Sequence, residues 1–160
     1  MKDHAPAASY SKFSLGNIMT QSPITIDSDT TAEEAFKIMK RRSIHHLPVV
    51  EKLPAGAGEK IIGMVARGDL QRVISAFAGT KIETVRDRMT LRLKVKTFMT
   101  KDVVTLTPDA GIRECALLLL DRGFNSMPVV EADTGKLIGI VTSSDLMQFL
   151  YDTMGEGRKK

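Results

Sequence analysis

The chain has 160 residues, of which 42% are hydrophobic and 26% charged, a composition typical of a folded domain and not of a disordered segment. Its formal net charge is +4, but aromatic residues make up only 5% and tryptophan is absent, which argues against a stacking platform for single-stranded nucleic acid. The single cysteine, Cys115, excludes an intrachain disulfide and favours a reducing compartment.

The amino-terminal residues carry charge and are not followed by an apolar h-region, so we expect no secretory signal peptide. The apolar runs are shorter than the roughly 18–20 residues that a membrane span requires. These two observations predict a soluble, cytoplasmic protein with no membrane partner. Residues 1–14 are interpreted as a loosely ordered lead-in, and the basic residues 154–160 as a tail.

An internal repeat is the most informative feature of the chain. Five segments of the first half recur in the second half, the first three at an offset of 80 residues and the last two at an offset of 76. The offset changes within a polar, glycine-bearing loop, where a change in length costs little. The matching pairs are Ile18–Thr20 with Phe98–Thr100, Ile24–Ile26 with Val104–Leu106, Leu47–Glu51 with Met127–Glu131, Ile61–Val65 with Leu137–Val141, and Asp69–Leu70 with Asp145–Leu146.

In the first repeat the pattern predicts a short extended start, a helix, two apolar strands joined by a polar loop, and a last helix. The residues of the extended start are 24–26. Thr30 is predicted to cap the first helix, with Glu33 completing a capping box. Helical spacing places Ala32, Ala35, Phe36 and Met39 on the buried face of that helix.

The second repeat predicts the same order of elements. An extended segment over residues 103–106 precedes a helix that Pro108 and Asp109 are predicted to open. Two strands and a final helix, starting near Asp145, follow.

These elements predict an α/β fold of two β-α-β-β-α repeats. One such unit of about 60 residues buries too little surface to stand alone with confidence, so we expect the two repeats to pack sheet-to-sheet about a pseudo-twofold axis. The expected boundaries are residues 15–78 for the first repeat, 79–94 for a basic and partly helical linker, and 95–153 for the second repeat.

The repeated combination of h-P-V-V, a polar loop, h-h-G-h-h and a following helix start, where h is hydrophobic, resembles the CBS domain. The helix start reads Thr-x-x-Asp-Leu in the second repeat. Two copies resemble a Bateman module, and we expect it to be a stand-alone module because no other segment of the sequence resembles a catalytic or transport domain. The resemblance implies two clefts, a homodimer, and an adenosine ligand such as AMP, ADP, ATP or S-adenosylmethionine. It implies no required cofactor, and leaves the regulated partner protein unknown.

The strongest candidate site lies in Thr142-Ser143-Ser144-Asp145. A helix start suits a phosphate because its N–H groups are unpaired. The resemblance assigns Asp145 to the ribose hydroxyls and Thr142 to a phosphate oxygen. The same pattern also describes a helix-capping arrangement worth about 1 kcal/mol, and both roles remain open.

By the same resemblance, the adenine base would lie against the approach to the second strand. The backbone and side chains of Asn125, Ser126, Met127 and Pro128 are the candidates there. Val104 and Thr105 are expected to line the same cleft, although strand packing alone also explains Val104.

The first repeat departs from the pattern because Ala66 stands where the second repeat has Thr142. Asp69 retains the carboxylate, and Arg67 either meets a phosphate or lies in solvent. The corresponding cleft is therefore weaker, or tuned to a more highly phosphorylated ligand. Its remaining candidate residues are Thr25, His45, His46 and Pro48.

No metal site or catalytic set is expected. His45 and His46 lead into a strand, where adjacent residues point to opposite faces, and the chain lacks the further ligands of a zinc site. An apolar run surrounds Cys115, and burial would suppress its reactivity. The leading hypothesis is a regulatory sensor module that relays nucleotide binding to a partner. The alternative is a nucleic-acid-associated protein that uses the basic linker and tail.

Overall fold

The computed structural model describes residues 13–155, so residues 1–12 of the expected lead-in and 156–160 of the expected tail lie outside the described residues. The α/β fold class predicted from the sequence is confirmed. The described elements are β1 (Thr20–Gln21), α1 (Ala32–Arg42), β2 (His46–Lys52), β3 (Glu59–Ala66), α2 (Arg67–Val73), α3 (Val85–Leu91), α4 (Ile112–Arg122), β4 (Ser126–Val130), β5 (Leu137–Thr142) and α5 (Ser143–Gly155).

The chain forms two compact units. The first unit is the continuous segment Pro23–Val103, and the second unit combines residues 13–22 with residues 104–155. Residues 15–22 thus pack with the second repeat, and residues 95–103 pack with the first. Sequence periodicity alone does not reveal this exchange, because it depends on long-range contacts.

The second unit contains a three-stranded antiparallel sheet in the order β1-β5-β4. Leu106 adds a short parallel edge to it, with its amide donating to the Pro128 carbonyl at 3.1 Å and its carbonyl accepting from Val130 at 2.9 Å. The core beneath this sheet is apolar, so its burial stabilises the unit. Its buried members are Leu15, Ile112, Cys115, Leu119, Met127, Val129 and Val141.

The first unit repeats this design around the β2-β3 hairpin. Ile26 forms the parallel edge beside Val49, and Thr100 pairs with Met64 through two reciprocal backbone hydrogen bonds of 2.9 Å. Both hairpins have a register shift, after Val49 and after Val129, respectively. The buried core of this unit consists of Ile26, Ala32, Ala35, Met39, Leu47, Val49, Val65, Leu70 and Val95.

The cap of helix α1 lies one residue later than predicted. Thr31, and not Thr30, accepts from the Glu34 amide at 3.2 Å, and the Glu34 carboxylate accepts from the Thr31 amide at 2.8 Å. The Thr30 carbonyl instead accepts from the Val95 amide at 2.9 Å, which ties the chain before the helix to the exchanged segment. Glu33 faces outward and pairs with Lys37 one turn later.

The start of helix α4 was also predicted too early. Pro108 and Asp109 form a turn, and the helix begins at Ile112 with Gly111 as its N-cap. The carbonyls of Pro108 and Ala110 accept from the amides of the exchanged 15–16 segment, at 2.8 and 3.0 Å. The segment before α4 therefore forms backbone hydrogen bonds with residues 15–16 and does not continue the helix towards its N-terminus.

The linker between the repeats contains helix α3, capped by Thr84. The Asp87 carboxylate accepts from Thr84 at one oxygen and from the Ser75 hydroxyl at the other, at 2.6 Å. This bond joins α3 to the segment after α2. None of the helices within residues 13–155 has the length and apolar character that crossing a bilayer requires.

Candidate functional site

The end of β5 and the start of α5 bring the two leading candidates together. The amide and the hydroxyl of Thr142 both donate to Asp145 Oδ2, each at 2.7 Å, and the Asp145 amide donates back to Thr142 Oγ1 at 3.3 Å. This is a complete capping box, so the capping role considered from sequence is present. Within the described residues, Asp145 Oδ1 accepts no hydrogen bond and remains available to a ligand.

The loop before β4 lies beside this helix start. The Ser143 amide donates to the Asn125 carbonyl at 3.1 Å, and Ser126 pairs with Thr142 across β4 and β5. Asn125 is exposed and Ser126 is half-buried. Backbone geometry therefore gathers Asn125, Ser126, Thr142 and Asp145 at one end of the sheet.

The other four candidates of the second repeat are placed differently. The side chain of Met127 is fully buried in the core of the unit, and Pro128 is also fully buried, so neither offers an accessible side chain. Val104 is 37% exposed. Thr105 is half-buried and directly precedes Leu106, whose amide bonds to Pro128.

In the first repeat, both oxygens of the Asp69 carboxylate are occupied. Oδ2 accepts from the Ala66 amide at 2.7 Å, and Oδ1 accepts from the Arg72 guanidinium. The residue of the second repeat that corresponds to Arg72 is Gln148. Its Nε2 donates to Asp152 Oδ1 at 2.9 Å and not to Asp145. The two aspartates thus have the same backbone setting, but within the described residues only Asp145 has a carboxylate oxygen that accepts no hydrogen bond.

A pocket of about 370 Å³ lies in the first unit. Arg67 and His45 both line it and contact each other. Arg67 Nη1 lies 3.3 Å from His45 Nε2, and the Arg67 amide donates to the His45 carbonyl at 2.8 Å. The sequence pattern indicates these two residues as candidates, but it does not indicate the contribution of helix α1. The lining residues are Phe36, Met39, Lys40, Ser43, Ile44, His45 and Arg67.

The remaining candidates of the first repeat do not line that pocket. His46 is half-buried and lies opposite Ala66 in the hairpin. Burial, and secondarily the neighbouring His45, lowers the pKa of His46, while Asp69 acts in the opposite direction. Pro48 is fully buried, and the Thr25 hydroxyl donates to Glu59 Oε2 at 2.9 Å.

The described residues contain no group of three or more histidine, cysteine or acidic side chains placed to hold a metal ion. The Cys115 thiol is buried in the core of the second unit. Burial, followed by the charge of Glu114, raises its pKa to about 11. A thiol in that state is protonated and a poor nucleophile at neutral pH.

Comparison with known families gives two matches to the CBS domain, over residues 15–76 and 95–152. The chain belongs to the CBS domain family. It therefore contains a tandem CBS pair, which is the arrangement that the sequence repeat predicted.

Three curated relatives place this pair in different contexts. A CBS domain-containing protein of Dictyostelium discoideum is 31% identical over 144 residues, which cover 89% of this chain and 94% of that protein. An uncharacterized protein of Methanocaldococcus jannaschii is 30% identical over 84% of this chain, but the match spans only 43% of its length. A homoserine O-acetyltransferase of Methanosalsum zhilinae is 29% identical, and the match spans 24% of that protein.

Two solved CBS pairs share the fold and hold adenosine compounds. The CBS domain pair of the protein MJ0100, in complex with 5′-methylthioadenosine and S-adenosyl-L-methionine, has a TM-score of 0.70 at 24% identity and covers 88% of this chain and 97% of that one. CBSX2, in complex with AMP, has a TM-score of 0.69 at 23% identity, covering 89% and 98%. At these identities the likeness establishes the fold.

Proposed function

We propose that this CBS pair is a regulatory, non-catalytic module that binds an adenine nucleotide and relays its binding to a partner protein. The observation that carries the proposal is the free Oδ1 of Asp145 beside the exposed loop at Asn125. A carboxylate oxygen accepts hydrogen bonds, and ribose offers two hydroxyl donors. The module is proposed to act in the cytoplasm as a homodimer.

The setting of Asp145 supports this role. Its other oxygen is fixed by the amide and hydroxyl of Thr142, so the carboxylate is held in one orientation before a ligand arrives. A preorganised acceptor loses less conformational entropy on binding than a mobile one. The solved CBS pairs with AMP and with S-adenosyl-L-methionine support the choice of an adenosine ligand.

We place the base at the backbone of residues 125–127 and the phosphate end at Thr142 and Ser143. Val104 and Thr105 are proposed to contact the base from the neighbouring segment. In the first repeat, the Arg72 side chain must leave Asp69 Oδ1 before ribose binds there. Arg72 is 76% exposed, so this pair is weak, and displacing it costs on the order of 0–1 kcal/mol.

The test is calorimetric titration of the full chain with AMP, ATP and S-adenosylmethionine, for the native protein and Asp145→Ala. Loss of a charge-assisted acceptor is expected to weaken binding at that site by roughly tenfold or more. The matched control is Asp152→Ala, which removes a carboxylate from the exposed part of the same helix. Unchanged affinity in Asp145→Ala, with the fold retained, would refute the assignment.

A relay to a partner requires that the ligand favour one of two conformations. Because specific ligands stabilise the state that binds them, thermal unfolding with each nucleotide identifies the ligand that the protein distinguishes. The partner is then sought with that ligand present and absent. Equal capture under both conditions argues against a relay.

A further inference from the structure

The pocket of the first unit combines apolar walls with basic side chains. Phe36 and Ile44 provide apolar surface, and Lys40, His45 and Arg67 provide nitrogen donors. The described residues that line it include no carboxylate. A pocket of this composition suits a ligand with an apolar or aromatic body and an anionic end.

Two of these basic groups are not neutralised by the surrounding protein. Within residues 13–155, neither Lys40 nor Arg67 forms a salt bridge, whereas neighbouring Lys37 and Arg72 do. Arg67 Nη1 lies 3.3 Å from His45 Nε2, and because a guanidinium only donates hydrogen bonds, this contact leaves the charge of Arg67 without a counter-ion. Within the described residues, an anion is the group that Lys40 and Arg67 lack.

The related positions of the second repeat are uncharged. Leu120 stands where the first repeat has Lys40, Asn125 where it has His45, and Ser143 where it has Arg67. The charges of the described residues follow the same direction. The first unit has 15 basic and 10 acidic residues, a net charge of +5, and the described part of the second unit has 3 basic and 7 acidic residues, a net charge of −4. The first repeat therefore offers a ligand basic side chains that the corresponding positions of the second repeat lack.

We propose that the pocket of the first unit selects the polyphosphate chain of a nucleoside di- or triphosphate, while the second repeat binds adenosine ligands without regard to their number of phosphates. This inference rests on the proposed nucleotide-binding function and assigns a ligand charge class to each repeat. Arg67 supplies a forked donor and Lys40 a compact charge, so the preference increases with the number of phosphate oxygens.

The experiment replaces the basic residues with their second-repeat counterparts, in the double variant Lys40→Leu and Arg67→Ser. Full-length protein is titrated with AMP, ATP and inorganic tripolyphosphate at low ionic strength. In the native protein one site is expected to bind ATP roughly tenfold or more tightly than AMP. The reason is that each further charge-assisted hydrogen bond to a phosphate oxygen raises the affinity by about that factor. The double variant is expected to lose that preference and to keep AMP binding at the second repeat.

The matched control is the double variant Lys37→Leu and Arg41→Ser, which makes the same changes of residue type on α1 outside the pocket lining. Thermal unfolding checks that both variants remain folded. An ATP preference that persists in the pocket variant, or that the control loses equally, overturns the inference.

The tripolyphosphate titration separates this inference from the proposed function. If no adenosine compound binds the native protein, the proposed function fails. In that case, tripolyphosphate binding that the pocket variant weakens and the control retains still supports a polyphosphate pocket. If tripolyphosphate does not bind, or binds equally to the pocket variant and the control variant, the inferred polyphosphate pocket is overturned.

Discussion

Met19 packs directly over Gly139: its sulfur lies 2.5 Å from the point that a Cβ on Gly139 would occupy. Met99 and Gly63 repeat this relationship in the first unit, also at 2.5 Å. Residues 15–22 thus cross β5 at Gly139 in the second unit, and residues 95–103 cross β3 at Gly63 in the first unit. The glycine of each h-h-G-h-h pattern is there because the crossing leaves no room for a side chain.

Gly139→Ala is expected to destabilise the protein by about 1–3 kcal/mol, the usual cost of overpacking. Adding Met19→Ala to Gly139→Ala should restore part of that loss, because the two side chains compete for the same space. Chemical denaturation of the single and double variants measures the coupling. Gly68→Ala is the control, since nothing lies within 4 Å of a Cβ there. Equal stability of Gly139→Ala and the native protein would contradict this packing.

Helix α1 ends at Ser43 in the left-handed conformation, with φ 54°, whereas Gly123 occupies the related position after α4, with φ 65°. A left-handed residue with a side chain costs roughly 1–2 kcal/mol. Ser43→Gly is therefore expected to stabilise the protein by up to about 1 kcal/mol, after the entropic cost of glycine is subtracted. Gly123→Ser should have the opposite sign. Both values come from urea unfolding, and the same sign for both would contradict the prediction.

The raised pKa of Cys115, about 11, predicts a slow reaction with thiol reagents in the native state. At pH 8 only on the order of one thiol in a thousand is ionised at such a pKa, and the side chain is also buried. Because the chain has one cysteine, labelling reports this residue alone. The rate is expected to rise at least about a hundredfold on unfolding in denaturant. Fast labelling of the folded protein would show that this core is open.

The lowered pKa of His46 predicts a pH dependence of stability. The unfolded chain takes up this proton at about pH 6.5, before the folded protein does. The free energy of unfolding should therefore fall as the pH decreases below about 6.5, and level off below the folded pKa. His46→Ser, which introduces the residue found at Ser126, should flatten this slope. The comparison is made by urea unfolding between pH 5 and 8, and an unchanged slope would exclude His46 as its source.

Local sequence patterns predicted the hairpins because those features depend on near neighbours, but they located the starts of α1 and α4 only to within one to four residues. Thr30 and Thr31 are each followed three residues later by a glutamate, so both fit a capping box. The choice between them depends on the amide of Val95, which is far away in the sequence and takes the Thr30 carbonyl. Adjacent candidates cannot be separated without that contact.

The candidate site was predictable where it coincided with a helix start, as at Thr142 and Asp145. Lys40 was missed because a charged residue on the exposed part of a helix normally lies in solvent. Only the position of α1 beside His45 and Arg67 places it on a pocket. The side chain of Met127 belongs to the core, so only its backbone is available to the proposed site.

The most direct test of nucleotide binding at the second repeat is an NMR titration of the isotopically labelled chain with AMP. The account predicts that the largest amide shift changes fall at Asn125, Ser126, Thr142, Ser143 and Asp145, and that Asp145→Ala weakens these responses. A ligand that binds but leaves these amides unperturbed would contradict the proposed site. No response to AMP, ATP or S-adenosylmethionine at millimolar concentration, on the order of the weakest specific affinities, would contradict the proposed function itself.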